Sequence, residues 1–592
     1  MFRWPHLLAG VVLVCGCSQP SDLSQASPPV FVDQAAATGL DFVHFNGMSG
    51  ELYFAEVVGP GGALADFDGD GDLDVFLVQG SMLGEGKTDS GALRPPAGPL
   101  GDRLFRNDLT VGSNGEPRLA FTDVTATSGL GAIGYGMGVA AGDYDNDGRV
   151  DLYVTRFGAN QLWRNEGAGT DGAIRFTDRT AETGTGDERW STSAAFLDYD
   201  GDGWLDLFVV NYTDFRLVNH KPCTDTGGAR DYCGPRSYLP VGDRLLRNRG
   251  PSGDGRITFE DVTAALGIDR EAGAGLGITV ADFDRNGRTD IYVANDQMQN
   301  HLWLNRGPGE ASGFVNAALE RGCALDHQGR VQASMGVDAG DVDGDGSVDL
   351  FMTHLREETN TLYLNDGQGF FAERTISSGL GTPSVGLTGF GAVLLDFDLD
   401  GWLDVMTVNG AVRILQELKL QGHPFPLEQP NQLFRNLEGR FEEISRQAPV
   451  LAVERVSRGA AVGDVDNDGD PDLLVLNNAD AAQLLINQRT GHWLGLRLTG
   501  IGGRDMLGAE VTLERPGQPP LVRQARSAAS YLSANDPRVV FGLGSSAPMT
   551  DAGRRVVVRW PSGLVESWND LEPNRYTTLT EGSGERIGGL RP

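Results

Sequence analysis

The chain has 592 residues, 40% of them hydrophobic and 22% charged, so it can bury a large core and is not a disordered acidic chain. Its formal net charge of −33 repels phosphate backbones and anionic headgroups, which excludes nucleic acid and a general membrane-binding surface as expected partners. Its 83 glycines follow no collagen period and point to many tight turns, as in an all-β repeat protein.

The N-terminus carries one cation, Arg3, an apolar run from Leu7 to Val14, and then Cys15-Gly16-Cys17. The run is too short to cross a bilayer and fits a signal-peptide core. Val14-Cys15-Gly16-Cys17 resembles a bacterial lipobox, with an ordinary secretory signal as the alternative. On the lipobox reading residues 1–16 are the signal peptide, Cys17 is lipidated, and residues 17–29 form the anchor and a polar tether. The chain is then exported, as an envelope lipoprotein or a secreted protein, and touches a membrane only through its lipid. Ser18 after the cysteine leans, by resemblance to sorting rules, to the outer membrane or surface.

Residues 30–488 are dominated by one repeat, Asp-x-Asp-x-Asp/Asn-Gly-x-x-Asp followed at once by a β-prone run. Its copies are Asp66, Asp68, Asp70, Asp74; Asp143, Asp145, Asp147, Asp151; Asp198, Asp200, Asp202, Asp206; and Asp282, Asp284, Asn286, Asp290. Three more follow: Asp341, Asp343, Asp345, Asp349; Asp396, Asp398, Asp400, Asp404; and Asp464, Asp466, Asp468, Asp472. Successive copies start 55 to 84 residues apart, which a unit near 55 with insertions explains. Each copy is followed by a strand with a Leu-aromatic or Leu-Leu pair, such as Gln161-Leu162-Trp163-Arg164-Asn165. After six of the seven comes a strand opened by Phe, at 121, 176, 259, 314, 371 and 441. The seventh copy lacks one, and an orphan Phe31-Val32-Asp33 precedes the first loop. Seven units of four strands predict a seven-bladed β-propeller, with Phe31–Asp33 closing the ring beside Leu484, where an open seam would leave two unpaired edges.

In each loop positions 1, 3 and 5 can point a carboxylate inward, Gly at 6 allows the bend, position 7 offers a carbonyl, and Asp at 9 can chelate with both oxygens. That oxygen set fits Ca²⁺, up to seven ions, better than Mg²⁺, which demands strict octahedral geometry. A polar Asp/Gly turn would explain one copy but not seven. An EF-hand would need Glu at position 12 and flanking helices. Asp72 and Asp470 stand at position 7 and are not counted as ligands.

Longer stretches, Gly80–Asp102, Asn211–Asp243 and Asn409–Gln429, fall between the second and third strands and rise on the face opposite the acidic loops. Cys223 and Cys233 lie in one of them and are expected to be bridged in an oxidising compartment, with Cys323 left as a free thiol. The face is the expected ligand site, for a protein or polysaccharide, with Glu56, Arg156, Asn211, Asn295, Asp296, His354 and Asn409 as candidates. The alternative for these polar residues is turn capping. No Gly-x-Ser-x-Gly, His-Glu-x-x-His or phosphate loop occurs, so no catalytic residue is assigned and a binding or scaffold protein is favoured. The alternative is a periplasmic or surface propeller enzyme, hydrolase or quinone-type, with its site on the axis of that face.

The repeats resemble FG-GAP (VCBS-type) repeats of the integrin α-subunit propeller. His492-Trp493-Leu494-Gly495, Arg504-Asp505-x-x-Gly508-Ala509, Ser530-Tyr531-Leu532-Ser533, Phe541-Gly542-Leu543-Gly544 and Arg559-Trp560-Pro561-Ser562-Gly563 resemble the ASPIC and UnbV domain. Together they resemble the cartilage acidic protein family in its bacterial form; the animal members end in a Cys-rich EGF-like module for which this chain has no cysteines. The resemblance implies Ca²⁺ in the loops and ligand binding on the opposite face. Residues 490–582 alone read as a small β-sandwich with a tail at 583–592. Nine arginines (497, 504, 515, 523, 526, 538, 554, 555 and 559) make it basic, and are expected to be solvated or docked on the acidic propeller rather than to grip a separate partner.

Overall fold

The structure is a computed structural model that describes Met1 and residues 29–588, apart from residues 97, 113–116, 132–133, 170–172, 308–312, 501 and 545–553. The signal peptide, Cys17 and most of the tether lie outside the described residues. No helix among the described residues is long and apolar enough to cross a membrane.

Seven sheets share a four-stranded plan; two of them carry extra short strands. The second is typical, with Gly136–Gly142, Asp151–Arg156, Gln161–Ala168 and Ile174–Asp178 in antiparallel order. The position-9 aspartate opens the second strand in every sheet. The innermost strands, Gly62–Ala65, Gly136–Gly142, Ser191–Leu197, Gly275–Ala281, Val337–Gly340, Gly389–Leu395 and Ser457–Gly463, each contact the next, and the last contacts the first. That closed cycle is a β-propeller. The inner strands are rich in Gly, Ala and Ser because they converge on one axis, where large side chains have no room.

The seam is closed as the orphan motif predicts. Phe31, Val32 and Asp33 pair antiparallel with Asn487, Ile486 and Leu485, supplying the outer strand of the seventh sheet. Every edge that an open ring would expose at this point is paired.

The C-terminal domain has two sheets. His492–Thr499 lies between Val539–Gly544 and Tyr576–Thr580; Glu510–Glu514 and Arg555–Arg559 form the middle of a five-stranded partner. Leu496, Val511, Leu513, Phe541, Val558 and Trp560 fill the space between. The last strand, Glu585–Arg586, pairs with Glu566 and Ser567, so the domain runs past the boundary expected at 582.

Between these sheets the chain leaves the domain and enters the propeller. Ser530 exchanges backbone hydrogen bonds with Val337, and the Leu532 carbonyl accepts from the Val139 amide at 3.1 Å. Ala534 pairs parallel with Ala63, in the first sheet. Tyr531 is fully buried, donates to the Val58 carbonyl at 3.0 Å, and packs edge-on against Phe390. The approach is so close that a Cβ on Gly61 would lie 1.8 Å from the Leu532 carbonyl oxygen.

From the other end the axis is sealed by apolar side chains. Phe54, Trp190, Tyr212, Phe215, Tyr232 and Tyr238 belong to one buried cluster that also takes in Leu83, Phe425, Tyr531 and Leu532. The three long insertions therefore meet over the axis, and the central depression expected there is filled. An axial enzyme site on this face would have to displace that cluster.

Candidate metal centres

Each acidic loop is held by its own backbone before any ion is considered. Position 4 has a left-handed backbone in all seven loops: Gly69, Asn146, Gly201, Arg285, Gly344, Leu399 and Asn467 have φ between 55° and 79°. The position-6 glycines follow with φ between 81° and 98°. Two left-handed residues in three curl the chain tightly, and outside glycine they cost conformational energy that the loop must offset. The offset is visible. One oxygen of the position-1 carboxylate accepts the position-6 amide at 2.7–3.1 Å in every loop.

The position-9 aspartate braces the other side. Its Oδ2 accepts the position-2 amide at 2.9–3.1 Å. Its Oδ1 accepts, at 2.7 or 2.8 Å, the amide of an asparagine on the third strand, its last residue in five of the seven sheets. These asparagines are Asn107, Asn165, Asn248, Asn305, Asn365, Asn436 and Asn487. Each side chain then donates to the position-2 carbonyl of the preceding sheet at 2.7–2.9 Å. The result is a closed ring of seven clasps, with Asn107 reaching back to Val465. Sequence reading missed this role, although the signal, an Asn shortly after every Leu pair, stands in the text of the chain.

Position 3 is different. Asp145, Asp200, Asp284, Asp398 and Asp466 each keep a buried Oδ1 without a hydrogen-bond partner. Positions 1, 3 and 9 offer oxygens within 4.8 Å of one another in the second to fifth loops, and Asp66, Asp68 and Asp70 do so in the first. A buried, unpartnered carboxylate oxygen is costly, and a hard cation among such oxygens removes that cost. The donor set therefore fits a calcium-sized ion.

The loops divide by their neighbours. Arg247 reaches Asp200 at 2.7 Å, Arg435 reaches Asp398 at 2.7 Å and Arg306 reaches Asp284 at 3.3 Å. Arg164 likewise bridges Asp145 and Asp147. Arg164, Arg247 and Arg435 directly precede the strand asparagine, where the fourth, fifth and seventh sheets have Leu304, Leu364 and Ile486; Arg306 reaches its loop from just after Asn305. Burial, ahead of like-charge repulsion, lifts the position-1 carboxyls well above their ordinary range: to about 7 for Asp143 and Asp396, and to about 6 for Asp198, Asp282 and Asp464.

The C-terminal domain sits on this same face. Arg523 donates to the Gly401 carbonyl at 2.9 Å, Arg526 pairs with Asp338 at 2.5 Å, and Arg538 donates to the Asp464 carbonyl at 2.7 Å. Arg497 lies 3.5 Å from Asp66, and Arg504 donates to the Gly203 carbonyl. Docked arginine, rather than a free basic face, accounts for these five. A cavity of about 760 Å³ remains between the domains, lined by Asp282, Asp341, Asp396, Asp464, Arg523 and Arg538 among others, and gives the loops contact with solvent.

On the opposite face the structure buries all seven ligand-face candidates. Arg156 pairs with Asp102 at 2.5 Å, fastening the end of the first insertion. Asn211 and Asn409 donate to the Gly242 and Pro430 carbonyls, at 3.1 and 2.8 Å, at the feet of the other two. Asn295 donates to the Gln299 carbonyl at 2.8 Å. Glu56 accepts from the Tyr232 hydroxyl at 3.1 Å and Asp296 from Tyr212 at 2.5 Å; burial raises both carboxyls to about 7. His354 is 1% exposed, with neither ring nitrogen partnered, and burial lowers it to about 3. Cys223 and Cys233 are disulfide-bonded, and Cys323 is a buried free thiol.

Fold and loops together define a propeller of acidic-loop repeats capped by a β domain. Residues 66–154, 143–209, 282–352 and 341–407 match the FG-GAP-like repeat family, and residues 501–586 match the ASPIC and UnbV family. Cartilage acidic protein 1 of Homo sapiens is 26% identical over 537 residues, covering 86% of this chain and 70% of the human one. The Mus musculus protein of that name is 27% identical over 460 residues, covering 73% of this chain and 62% of its own length. The chain thus carries FG-GAP-like repeats and an ASPIC and UnbV domain and is homologous to cartilage acidic protein 1. Among solved structures, an Agrocybe aegerita lectin that recognises terminal N-acetylglucosamine overlaps 64% of this chain and 77% of its own, at 17% identity and TM-score 0.35. Saccharomyces cerevisiae Sqt1 overlaps 76% and 98%, at 8% identity and TM-score 0.34. At these scores neither carries an argument about this chain.

Proposed function

We propose that this protein is an exported, calcium-binding propeller that acts as a binding or scaffold protein, tethered to a bacterial envelope through a lipid on Cys17. The observation that carries the calcium reading is the unpartnered buried oxygen at position 3 in five loops. Bound Ca²⁺ would supply positive charge among Asp residues at positions 1, 3, 5 and 9, with the position-7 carbonyl completing an oxygen set. The role is structural: the loops join the first and second strands of each sheet, so an ion would fix the turn that sets each inner strand. Exported modules of this kind bind calcium at about 10⁻⁴–10⁻³ M, near extracellular levels.

The partner is a protein or glycan on the insertion face. There Leu93, Val218, Leu239 and Leu420, all on the three insertions, are 62%, 94%, 69% and 87% exposed. Exposed apolar side chains on braced loops suit a partner surface. Elemental analysis of the purified protein, with melting curves in calcium and in EDTA, tests the reading. Calcium near seven per chain and a drop in Tm on chelation are expected; no calcium and an unchanged melt would refute it. A glycan and protein array probed with residues 29–588 identifies the ligand, and the quadruple Ser variant of those four residues should lose the signal.

A further inference from the structure

Position 7 of such a loop ordinarily contributes only its carbonyl, so Asp72 and Asp470 should be equivalent bystanders. The structure treats them differently. Asp72 is half-buried and accepts a hydrogen bond from Asn467 Nδ2 at 2.7 Å. Asp470 is 1% exposed, and neither of its carboxylate oxygens has a hydrogen-bond partner. The like charges of Asp468, Asp466 and Asp464 act on it, while Arg538 at the same loop binds Asn467 Oδ1 and the Asp464 carbonyl instead. No arginine forms an ion pair with Asp470 among the described residues, and Ile486 stands where Arg164, Arg247 and Arg435 stand in other sheets.

The seventh loop is also roofed. A Cβ on Gly469 would meet the Trp493 ring at 1.9 Å, and Tyr576 donates to Asp464 Oδ2 at 2.7 Å. Two unpartnered, buried carboxylate oxygens beside other acidic groups cost several kcal/mol when charged, unless a cation lies among them or a proton neutralises them. We infer that the Asp470 side chain is a direct ligand, which makes the seventh loop a closed, five-carboxylate site for a hard cation, distinct from the other six. The inference rests on the calcium reading above. More ligand charge and a more rigid site raise affinity, so this loop should bind Ca²⁺ tightest and favour trivalent lanthanides most.

The test compares the full soluble chain with Asp470→Asn and Asp72→Asn, using calcium counts after gel filtration and Tb³⁺ titration read by tryptophan-sensitised luminescence. Trp493→Phe identifies the signal that comes from the seventh loop. Asp470→Asn should lose the last calcium retained on dilution and weaken the Trp493-dependent Tb³⁺ signal at least about tenfold. Asp72→Asn should match wild type in both. In EDTA the Asp470→Asn protein should melt no lower than wild type, because a buried carboxyl without a hydrogen-bond partner has been removed. Wild-type calcium retention and Tb³⁺ affinity in Asp470→Asn, with the wild-type count intact, would overturn this inference alone. A wild-type chain that takes up neither ion would overturn the calcium reading and the inference with it.

Discussion

The two ends of the propeller axis are closed by opposite chemistry. At the acidic-loop end a separate domain docks through arginines and sends Ser530–Ala534 into the axis. At the other end the propeller's own insertions and connections close it with aromatic rings, Phe54 and Tyr238 stacked at 5.9 Å and Trp190 against Tyr212 at 4.9 Å. The first end depends on charge balance and so on ions and pH. The second depends mainly on apolar burial, which calcium does not touch, although Glu56 and Asp296, raised to about 7 by that burial, titrate beside it. Removing calcium should loosen the first end and leave the second intact.

Chelation should show this contrast most strongly. Seven sites at one to ten times Kd contribute about 0.4–1.4 kcal/mol each, about 3–10 kcal/mol together, so EDTA should lower Tm by roughly 2–8 °C in a cooperative unit of this length. Limited proteolysis should then cut at the loops before the insertions; cleavage first within 211–243 would break the comparison. The pH dependence should change sign with calcium. Without ions, the raised carboxyls such as Asp143 and Asp198 stabilise the fold only while protonated. That stability is complete below about pH 4 and is lost as pH rises through 6 to 7. Melting in EDTA should therefore fall between pH 5 and 7.5, whereas in calcium, which competes with those protons, it should rise. Parallel slopes in the two buffers would count against ion binding at these loops.

Tyr531→Ala removes the one ring that joins both closures and should cost about 3–5 kcal/mol, with calcium content unchanged. A smaller loss is expected at a clasp. Asn365→Ala leaves the Phe283 and Val348 carbonyls without their donor, previously at 2.9 and 3.0 Å, and should cost about 2 kcal/mol in urea melts. Smallest of all, Val218→Ser and Leu420→Ser should change stability by less than about 0.5 kcal/mol and alter only partner binding. A larger loss would mean that these side chains serve the insertion cluster rather than a partner.

The repeat was legible because its signals are local and sevenfold: acid loop, Leu pair, Phe strand. The closing role of Phe31 was legible because one copy was missing at one end and present at the other. The axis plug was not. Ser530-Tyr531-Leu532-Ser533 stood out as a C-terminal motif, but nothing near it in sequence says that its contacts are Val58, Val139 and Val337. Arg156, Asn211 and Asn409 do end their strands, yet burial, which no residue type announces, has Arg156 and Asn211 fasten Asp102 and the Gly242 carbonyl. Asp470 was set aside by a rule about position 7, and its burial without a hydrogen-bond partner, which sets it apart from Asp72, is not written in its residue type.

The strand at Phe31–Asp33 also constrains the order of assembly. Its partner, Leu485–Asn487, is made more than 450 residues later. During synthesis at about 5–20 residues per second, the first strand must wait tens of seconds for the last. Until then the ring has two raw edges, and the axis lacks the Ser530 segment that comes later still. Joining ends so distant carries an entropic cost that grows only slowly with length, so closure is affordable but late. The hazard is a neighbouring chain's Phe31 strand reaching the open seventh sheet first, giving a swapped ring. A single closing strand, supplied from the far end of the chain, is thus both the lock of this fold and its most exposed moment.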